Sequence, residues 1–296
     1  MKKINPPSVS FIISYETCVK NVQEERKRNQ FISAKNNLSN SASEYITLAT
    51  NNMLYTLNPI NRSLGDNVLV SGDITKADLI RLYDYQMINK IEPRKIYDTI
   101  KVSTNGKCPI CFEIGTVRTL EHYLPKAKFP QFSVHPANLI PSCRDCNFDK
   151  SSVHASTHQE QPLHPYYDKD CFYNEVWLHA RVRWENIPTI EYYSSPPDHW
   201  IDADKERIQH YFKESHLGNK FTQRASEELR NIIDQRNNEK LLKNFSMLQF
   251  KEHLQERLNA SSYLPNHWLL VMYRALASDS EFHSHDFSQY QDVDFL

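Results

Sequence analysis

Four of the six cysteines stand in two closely spaced pairs. The pairs are Cys108-Pro-Ile-Cys111 and Cys143-Arg-Asp-Cys146, with 31 residues between them. Two Cys-x-x-Cys segments place four thiolates at a spacing that suits one tetrahedral Zn²⁺. A redox role would account for one pair but not for two, and disulfides would have to persist in a reducing cytosol. We therefore expect a closed structural zinc site in which Cys108, Cys111, Cys143 and Cys146 are the ligands.

A second set of polar residues lies between and just after the cysteine pairs. Residues 119–126 read Thr-Leu-Glu-His-Tyr-Leu-Pro-Lys, and residues 138–150 read Asn-Leu-Ile-Pro-Ser-Cys-Arg-Asp-Cys-Asn-Phe-Asp-Lys. His122 can act as a general base because neutral imidazole is available at pH 7. Glu121 offers a carboxylate oxygen and Asn147 an amide oxygen, both suited to Mg²⁺ or Mn²⁺. Glu121 and His122 would point to opposite faces of a strand, so a shared site requires a twist at the strand end.

The order of these residues resembles the HNH (ββα-metal) nuclease motif in its four-cysteine zinc form. The shared pattern is Cys-x-x-Cys, acidic-His, Asn-Leu and Cys-x-x-Cys-Asn-x-x-Lys, over about residues 105–152. The resemblance implies two strands and a helix around one divalent metal, and an enzyme that hydrolyses phosphodiester bonds. It assigns a catalytic set that consists of His122, Glu121, Asn138 and Asn147.

Within that set, the resemblance gives each residue a distinct role. His122 is the general base, and Glu121 and Asn147 hold the catalytic Mg²⁺ or Mn²⁺. Asn138 is the middle residue of the motif, and its side chain is expected to bond backbone and hold the loop of His122. Two nearby carboxylates, those of Asp145 and Asp149, are alternative metal ligands.

Nucleic acid is the expected substrate, with DNA favoured over RNA. Lys126 and Lys150 are expected to contact phosphate. Residues 1–160 carry 20 Lys/Arg and 15 Asp/Glu, whereas residues 161–296 carry 15 and 21. This asymmetry suits a nuclease region joined to a docking region, although ordinary variation of surface charge produces the same counts. The alternatives are a nuclease acting on RNA such as tRNA, and a non-catalytic zinc-dependent module for nucleic-acid binding or scaffolding.

A further resemblance concerns the surroundings of the motif. The segments 121–126, Phe129-Pro130 and His164-Pro-Tyr-Tyr-Asp168 are similar to those of HNH nuclease subunits in Septu-type or retron-associated antiphage systems. This resemblance implies an ABC-type ATPase as protein partner and, in some systems, a retron reverse transcriptase–nucleic acid complex. It also implies that cleavage is restrained until infection.

The remaining chain predicts an α+β fold that is mostly helical around the zinc-stabilised ββα-metal module. We expect three regions: a helical region at 1–100, the nuclease module at 101–165, and an aromatic-rich and helical region at 166–296. Thr75 and Asp78 form a predicted capping box, and Pro93 is expected to close or interrupt the helix that follows. The Asn/Ser-rich stretch Lys35–Ser43 is predicted to be loop. Residues 176–184 and 190–193 are predicted strands.

Composition excludes several classes of protein. No run approaches eighteen apolar residues, so no membrane span is expected. The N-terminal residues lack the length and cleavage site of a signal peptide, and we expect a cytoplasmic protein. With five glycines among 296 residues and no Walker or dinucleotide fingerprint, nucleotide binding by those motifs is not expected. Cys18 and Cys171 stand alone and are predicted to be buried thiols without a chemical role.

Overall fold

The computed structural model describes residues 2–60, 65–150, 154–259 and 263–290. These residues belong to two compact units, Met1–Asp168 and Lys169–Leu296. The fold is mixed, with many helices and small two-stranded sheets, which confirms the expected predominance of helix. Within the described ranges, no helix combines the length and the apolar character that a bilayer span requires.

The first unit begins with helices and ends with the cysteine-rich segment. Its helices and strands are α1 (Phe11–Val19), α2 (Glu25–Thr50), β1 (Leu69–Ser71), β2 (Ile74–Thr75), α3 (Lys76–Arg81), α4 (Ile91–Val102), β3 (Thr119–His122), β4 (Leu139–Ser142) and α5 (Arg144–Asp149). The pairs β1–β2 and β3–β4 are antiparallel. A π-helical segment, Leu82–Met87, continues α3.

Helix α2 corrects the prediction of a loop at Lys35–Ser43. The Asn and Ser residues of this stretch belong to one 26-residue helix. Six residues at helical spacing bury one face of it: Phe31, Ala34, Leu38, Ala42, Tyr45 and Ala49. The Ser41 hydroxyl donates to the carbonyl of Asn37 within the helix, at 3.3 Å. Burial of the apolar face therefore outweighs the weak helix propensity of Asn and Ser.

The predicted capping box is confirmed, and the helical run that follows it is interrupted at Lys90, just before Pro93, in agreement with the predicted interruption. The Thr75 hydroxyl accepts from the Asp78 amide, and the Asp78 carboxylate accepts from the Thr75 amide. Pro93 lies in the first turn of a new helix, α4, which begins at Ile91. Proline is tolerated there because the first amides of a helix have no partner within the helix.

One hydrophobic core joins the N-terminal helices to the cysteine-rich segment. The core packs Tyr15 and Leu38 with Met87, Leu120 and Leu139, together with fifteen further buried residues. These residues come from both the predicted helical region and the predicted nuclease module. The ends of β3 and β4 are therefore held by packing against the helices before them.

The second unit surrounds one antiparallel hairpin with helices. Its elements are α6 (Cys171–Asn174), β5 (Leu178–Arg183), β6 (Thr189–Ser194), α7 (Asp202–Glu214), α8 (Leu217–Asn237), α9 (Met247–Asn259), α10 (Trp268–Ser278) and α11 (Ser280–Ser284). Strands β5 and β6 confirm the two predicted strands, and they pair from Leu178 with Ser194 to Arg183 with Thr189. The predicted apolar faces of α8 and α10 are buried.

The histidines near the C-terminus, His283 and His285, are packed into the second unit rather than in a frayed tail. The polar segment 283–286 reads as a frayed tail, yet His283 is buried in α11 and its Nε2 donates to the carbonyl of Leu276 at 2.9 Å. His285 packs against the ring of Trp184 at 4.7 Å. These residues fold into the unit because their rings bury apolar surface.

Candidate functional site

The four paired cysteines meet at one point of the first unit. All four are buried, and their sulfurs lie within 4.8 Å of one another. The Sγ atoms of Cys111 and Cys143 are 4.0 Å apart. A tetrahedral zinc with Zn–S bonds of about 2.3 Å requires sulfurs separated by about 3.8 Å. The cluster therefore has the donors and the spacing to hold a structural zinc, and it has no position for a substrate.

Local backbone structure shapes each half of the cluster. The amide of Gly115 donates to Cys111 Sγ at 3.3 Å, and the amide of Cys146 donates to Cys143 Sγ at 3.4 Å. Phe112 and Glu113 take positive φ angles of 51° and 70°, which turn the chain back after the first pair. Hydrogen bonds from backbone amides to sulfur stabilise thiolates and orient them for a metal.

Gly115 lies against the cluster so closely that a side chain does not fit. A Cβ at this position would meet both Cβ and Sγ of Cys143 at 2.5 Å, and Sγ of Cys111 at 3.5 Å. The amide of Cys108 also donates to the Gly115 carbonyl at 2.9 Å. The absence of a side chain at Gly115 therefore allows the two cysteine pairs to approach.

The two cysteines outside the cluster are separate from it. Cys18 is fully buried, and burial raises the pKa of its thiol to about 12. Cys171 is half-buried, and burial also raises the pKa of its thiol. The prediction of a buried thiol is confirmed for Cys18, while Cys171 is only partly covered.

Next to the cluster, two strands and a helix follow one another. Strands β3 and β4 pair in antiparallel register, with Glu121 opposite Ile140 and His122 opposite Leu139. Cys143 follows β4 and caps α5, so the second cysteine pair fixes the start of that helix. The motif residues are brought together in this way: Glu121 and His122 end β3, and Asn147 lies on α5.

His122 is buried on the same face of β3 as Leu120, the face that packs into the core of the first unit. Its Nε2 is 2.8 Å from the carbonyl oxygen of Ser133, and its ring packs edge-on against Tyr83 at 4.4 Å between centroids. Burial lowers the pKa of His122 to about 3, so the imidazole is neutral at pH 7. A carbonyl oxygen can only accept, so Nε2 carries the proton and Nδ1 holds the lone pair.

Glu121 occupies the opposite side of β3 and carries an ammonium partner. Lys150 Nζ is 3.2 Å from the Glu121 carboxylate and also donates to the carbonyl of His122. Burial lowers the pKa of Lys150. Asn147 is half-buried on α5, and Lys150 is the residue that ends this helix. Asp145, an alternative ligand, is exposed.

The π-helical segment Leu82–Met87 contacts the motif residues through Tyr83 and Asp84. Lys126, a predicted phosphate contact, is ion-paired with Asp84, and its ammonium lies 5.0 Å from the centre of the Tyr83 ring. The segment that holds Tyr83 and Asp84 thus contacts both His122 and Lys126. In free protein, Lys126 is partly neutralised by Asp84, and Lys150 by Glu121.

Asn138 is fully buried and holds three backbone groups with its side chain. Its Oδ1 accepts from the Leu124 amide at 2.7 Å, and its Nδ2 donates to the carbonyls of Leu124 and Phe132 at 3.1 and 3.2 Å. This arrangement ties the loop after β3 to the turn that precedes Ser133. It is the backbone contact that the resemblance implies for the middle residue of the motif.

Sequence reasoning missed several residues that shape this site. Gly115 follows Cys111 by four residues, and a glycine beside a Cys-x-x-Cys pair is a signal that could have identified it. Tyr83 and Ser133 carry no such signal, because they reach His122 from distant positions in the chain. Tyr45 also escaped notice, although its hydroxyl lies 3.2 Å from Asn138 Oδ1.

Comparisons with known proteins relate the chain to a phage protein. No protein-family model matches it, and no solved structure matches it significantly. The chain is 33% identical over 293 residues to Protein ea31 of Escherichia phage lambda, an alignment that covers 95% of this chain and 99% of that protein. Similarity of this degree over nearly the whole of both chains establishes common descent. The chain belongs to the family of Protein ea31 of phage lambda.

Proposed function

We propose that this protein is a metal-dependent HNH endonuclease that hydrolyses phosphodiester bonds of nucleic acid, with DNA favoured over RNA. One observation carries the proposal. Glu121 and His122 end a strand beside α5, which carries Asn147 and ends at Lys150, inside a framework that four close cysteines can hold together with zinc. The types and order of these residues, together with their proximity in the first unit, support the proposal.

The donor set fits a hard divalent cation. Glu121 supplies a carboxylate that is 22% exposed, and Asn147 can supply an amide oxygen. The Lys150 ammonium already lies against this carboxylate, so the position favours positive charge. Mg²⁺ commonly takes one or two protein oxygens and completes its shell with water and phosphate. A Mg²⁺ or Mn²⁺ held by Glu121 and Asn147 would stabilise negative charge on the phosphate undergoing hydrolysis.

In the proposed reaction, His122 accepts the proton of the attacking water at Nδ1. The water oxygen forms a bond to phosphorus, the bond from phosphorus to the leaving sugar oxygen breaks, and that oxygen takes a proton from solvent. The hydrogen bond from Nε2 to Ser133 keeps the lone pair on Nδ1. Lys126 and Lys150 would exchange their carboxylate partners for phosphate oxygens when the substrate binds.

A non-catalytic zinc module is the second candidate, and one observation favours it. The His122 side chain is buried, with 6% of the residue exposed, and its pKa of about 3 describes a weak base. A general base works best when its pKa lies near the working pH. In the second candidate, the buried imidazole and the Glu121–Lys150 pair stabilise a surface that binds nucleic acid or protein.

Metal dependence separates the two candidates. Wild-type protein is incubated with supercoiled plasmid, linear duplex and tRNA, with Mg²⁺ or Mn²⁺ and at low salt. We expect nicking or cleavage that EDTA stops and added Mn²⁺ restores, while the zinc content stays constant in every sample. Binding without cleavage of any of these substrates would support the non-catalytic module instead.

A defence role and a protein partner follow from the sequence resemblance alone. We propose that the nuclease acts with an ABC-type ATPase in an antiphage system, in some cases together with a retron complex, and this rests on the sequence resemblance. Co-expression of the protein with an ABC-type ATPase of a Septu-type system tests the association. A stable complex that co-elutes during gel filtration is the expected result, and separate elution at micromolar concentrations would contradict it.

A further inference from the structure

Tyr45 lies at the centre of a fully buried set of polar groups beneath the motif. It belongs to α2, and its hydroxyl oxygen is 3.1 Å from His164 Nε2, 3.2 Å from Asn138 Oδ1 and 3.3 Å from the carbonyl oxygen of Ala137. Tyr45, Asn138 and His164 are each at most 1% exposed. These three residues lie far apart in the sequence of the first unit.

The hydrogen-bond directions in this set can be deduced from the atoms involved. The Asn138 oxygen and the Ala137 carbonyl can only accept, so the single proton of the Tyr45 hydroxyl points toward them. His164 Nε2 must then donate to the Tyr45 oxygen. The amide of Tyr166 donates to His164 Nδ1 at 3.2 Å, which requires Nδ1 to be unprotonated. These two hydrogen bonds therefore select the same neutral tautomer of His164, with the proton on Nε2.

The side chain of Asn138 links Tyr45 to the backbone beside Ser133, whose carbonyl contacts His122. Its Oδ1 receives hydrogen bonds from Tyr45 and from the Leu124 amide, which fixes the orientation of its amide group. Its Nδ2 then donates to the carbonyl of Phe132, the residue before Ser133. The Ser133 carbonyl in turn accepts from His122 Nε2. The path from His164 to His122 consists of hydrogen bonds and one peptide link.

We propose that Tyr45 and His164 are positioning residues which, through Asn138, hold the Ser133 carbonyl against Nε2 of His122 and so keep the lone pair of His122 on Nδ1. This inference rests on the proposed nuclease function, since it gives the tautomer of His122 a purpose. It adds two residues that lie outside the motif, one from the N-terminal helical region and one from the segment that follows the motif helix.

Conservative substitutions test the proposal. Tyr45→Phe keeps the ring and removes the hydroxyl, and His164→Leu removes the donor to it. We expect each to lower kcat by about tenfold or more with KM unchanged, because the base loses its fixed orientation. His164→Gln retains an N–H that can donate to Tyr45 and should recover most of the lost rate.

Tyr15→Phe is the matched control. The Tyr15 hydroxyl is also buried in the first unit and donates to the carbonyl of Phe31 at 2.8 Å, away from Asn138. If Tyr45→Phe and Tyr15→Phe lower kcat equally at equal loss of melting temperature, Tyr45 supports the fold alone and the proposal is wrong.

The tautomer of His122 provides a readout that does not require activity. In protein with ¹⁵N-labelled histidine, the ring nitrogen shifts of His122 should report Nε2–H in wild type and in Tyr15→Phe. We expect a mixture of tautomers in Tyr45→Phe and in His164→Leu. An unchanged tautomer in both variants would overturn the positioning role even if the wild type proves to be a nuclease. If the wild type cleaves nothing, the nuclease proposal fails, and the same spectra still decide whether Tyr45 and His164 orient His122.

Discussion

Among single residues, Cys143 contributes to the four-cysteine cluster in two ways. Its sulfur lies 4.0 Å from that of Cys111, and it also caps α5 by accepting from the Cys146 amide. We expect Cys143→Ser to reduce bound zinc from about one per chain to almost none, measured by elemental analysis after gel filtration. The first unit should also unfold at lower denaturant concentration, because the energy of binding a structural metal is also folding energy.

Cys171→Ser is the matched control for this prediction. Cys171 is half-buried, belongs to the second unit and lies outside the four-sulfur cluster. This variant should keep its zinc. Zinc retained at the wild-type level in Cys143→Ser would contradict the assignment of the cluster as a zinc site.

Gly115 is the residue at which the close approach of the two cysteine pairs can be tested without removing a ligand. In Gly115→Ala, the new methyl group would meet Cys143 Sγ at 2.5 Å, so the cluster must open. We expect faster transfer of zinc to a chelating dye than in wild type. Gly218→Ala is the control, since it belongs to the second unit and its methyl group would meet the end of the Phe212 ring at 3.2 Å. Equal zinc release from both variants would show that Gly115 does not limit the cluster.

The residues that hold the candidate site differ in how well a sequence predicts them. The four-cysteine cluster follows from spacing alone, since two Cys-x-x-Cys pairs suit a single tetrahedral metal. The burial of His122 could not be predicted, because it depends on Tyr83 and Ser133, which reach it through tertiary packing. The Glu121–Lys150 and Asp84–Lys126 ion pairs were equally hidden, since charge pairing between distant segments leaves no local pattern.

Among the secondary-structure elements, α2 forms despite the weak helix propensity of its Asn and Ser residues. Its Asn and Ser residues favour caps and turns in isolation, and the prediction of a loop followed from that preference. The helix forms because Leu38 and its neighbours on one face enter the core of the first unit. A sequence-based prediction that weighs the apolar spacing across the whole of 25–50, rather than the composition of 35–43, would have found the helix.

A pair of substitutions in α2 tests this explanation. Leu38 is 2% exposed, so Leu38→Ala should lower the free energy of unfolding by about 2–5 kcal/mol, as expected when a buried leucine leaves a cavity. Asn37 is exposed on the other face. Asn37→Ala should change the free energy of unfolding by less than about 0.5 kcal/mol. Urea denaturation followed by circular dichroism measures both, and similar losses would mean that α2 is not held by its apolar face.

The strand β3 was easier to predict than the segments that complete its surroundings. The alternation around Glu121 and His122 led to the expectation of opposite faces, and the structure has Glu121 partly exposed beside Lys150 with His122 buried. The π-helical segment Leu82–Met87 gave no signal in the sequence. Such segments are rare and often occur at functional sites.

At the scale of the whole molecule, charge differs between the two compact units. Residues 1–168 carry 20 Lys/Arg and 16 Asp/Glu, and residues 169–296 carry 15 and 20. Several of the basic side chains near the motif are already paired with carboxylates, among them Lys126 and Lys150. A net excess of this size provides few phosphate contacts for binding without a partner.

Salt dependence follows from this charge distribution. We expect the isolated protein to cleave weakly, and the rate to fall by at least about tenfold when NaCl is raised from about 50 to about 200 mM, the loss of affinity expected when about two phosphate contacts release their counterions. Initial rates on plasmid, measured across this range at constant Mn²⁺, test the expectation. Robust cleavage by the isolated chain at the higher salt would show that it binds nucleic acid well without help.

If His122 is the base of a metal-dependent nuclease, its role is tested by comparing cleavage by wild type and His122→Ala at saturating Mn²⁺. The rate should fall by about 10²–10⁴-fold, as is typical for loss of a general base. Zinc content should stay the same, because the cluster consists of thiolates. Glu121→Ala should also lose activity but recover part of it as Mn²⁺ is raised, whereas His122→Ala should not. Cleavage by His122→Ala at the wild-type rate, with zinc intact, would show that His122 is not the general base.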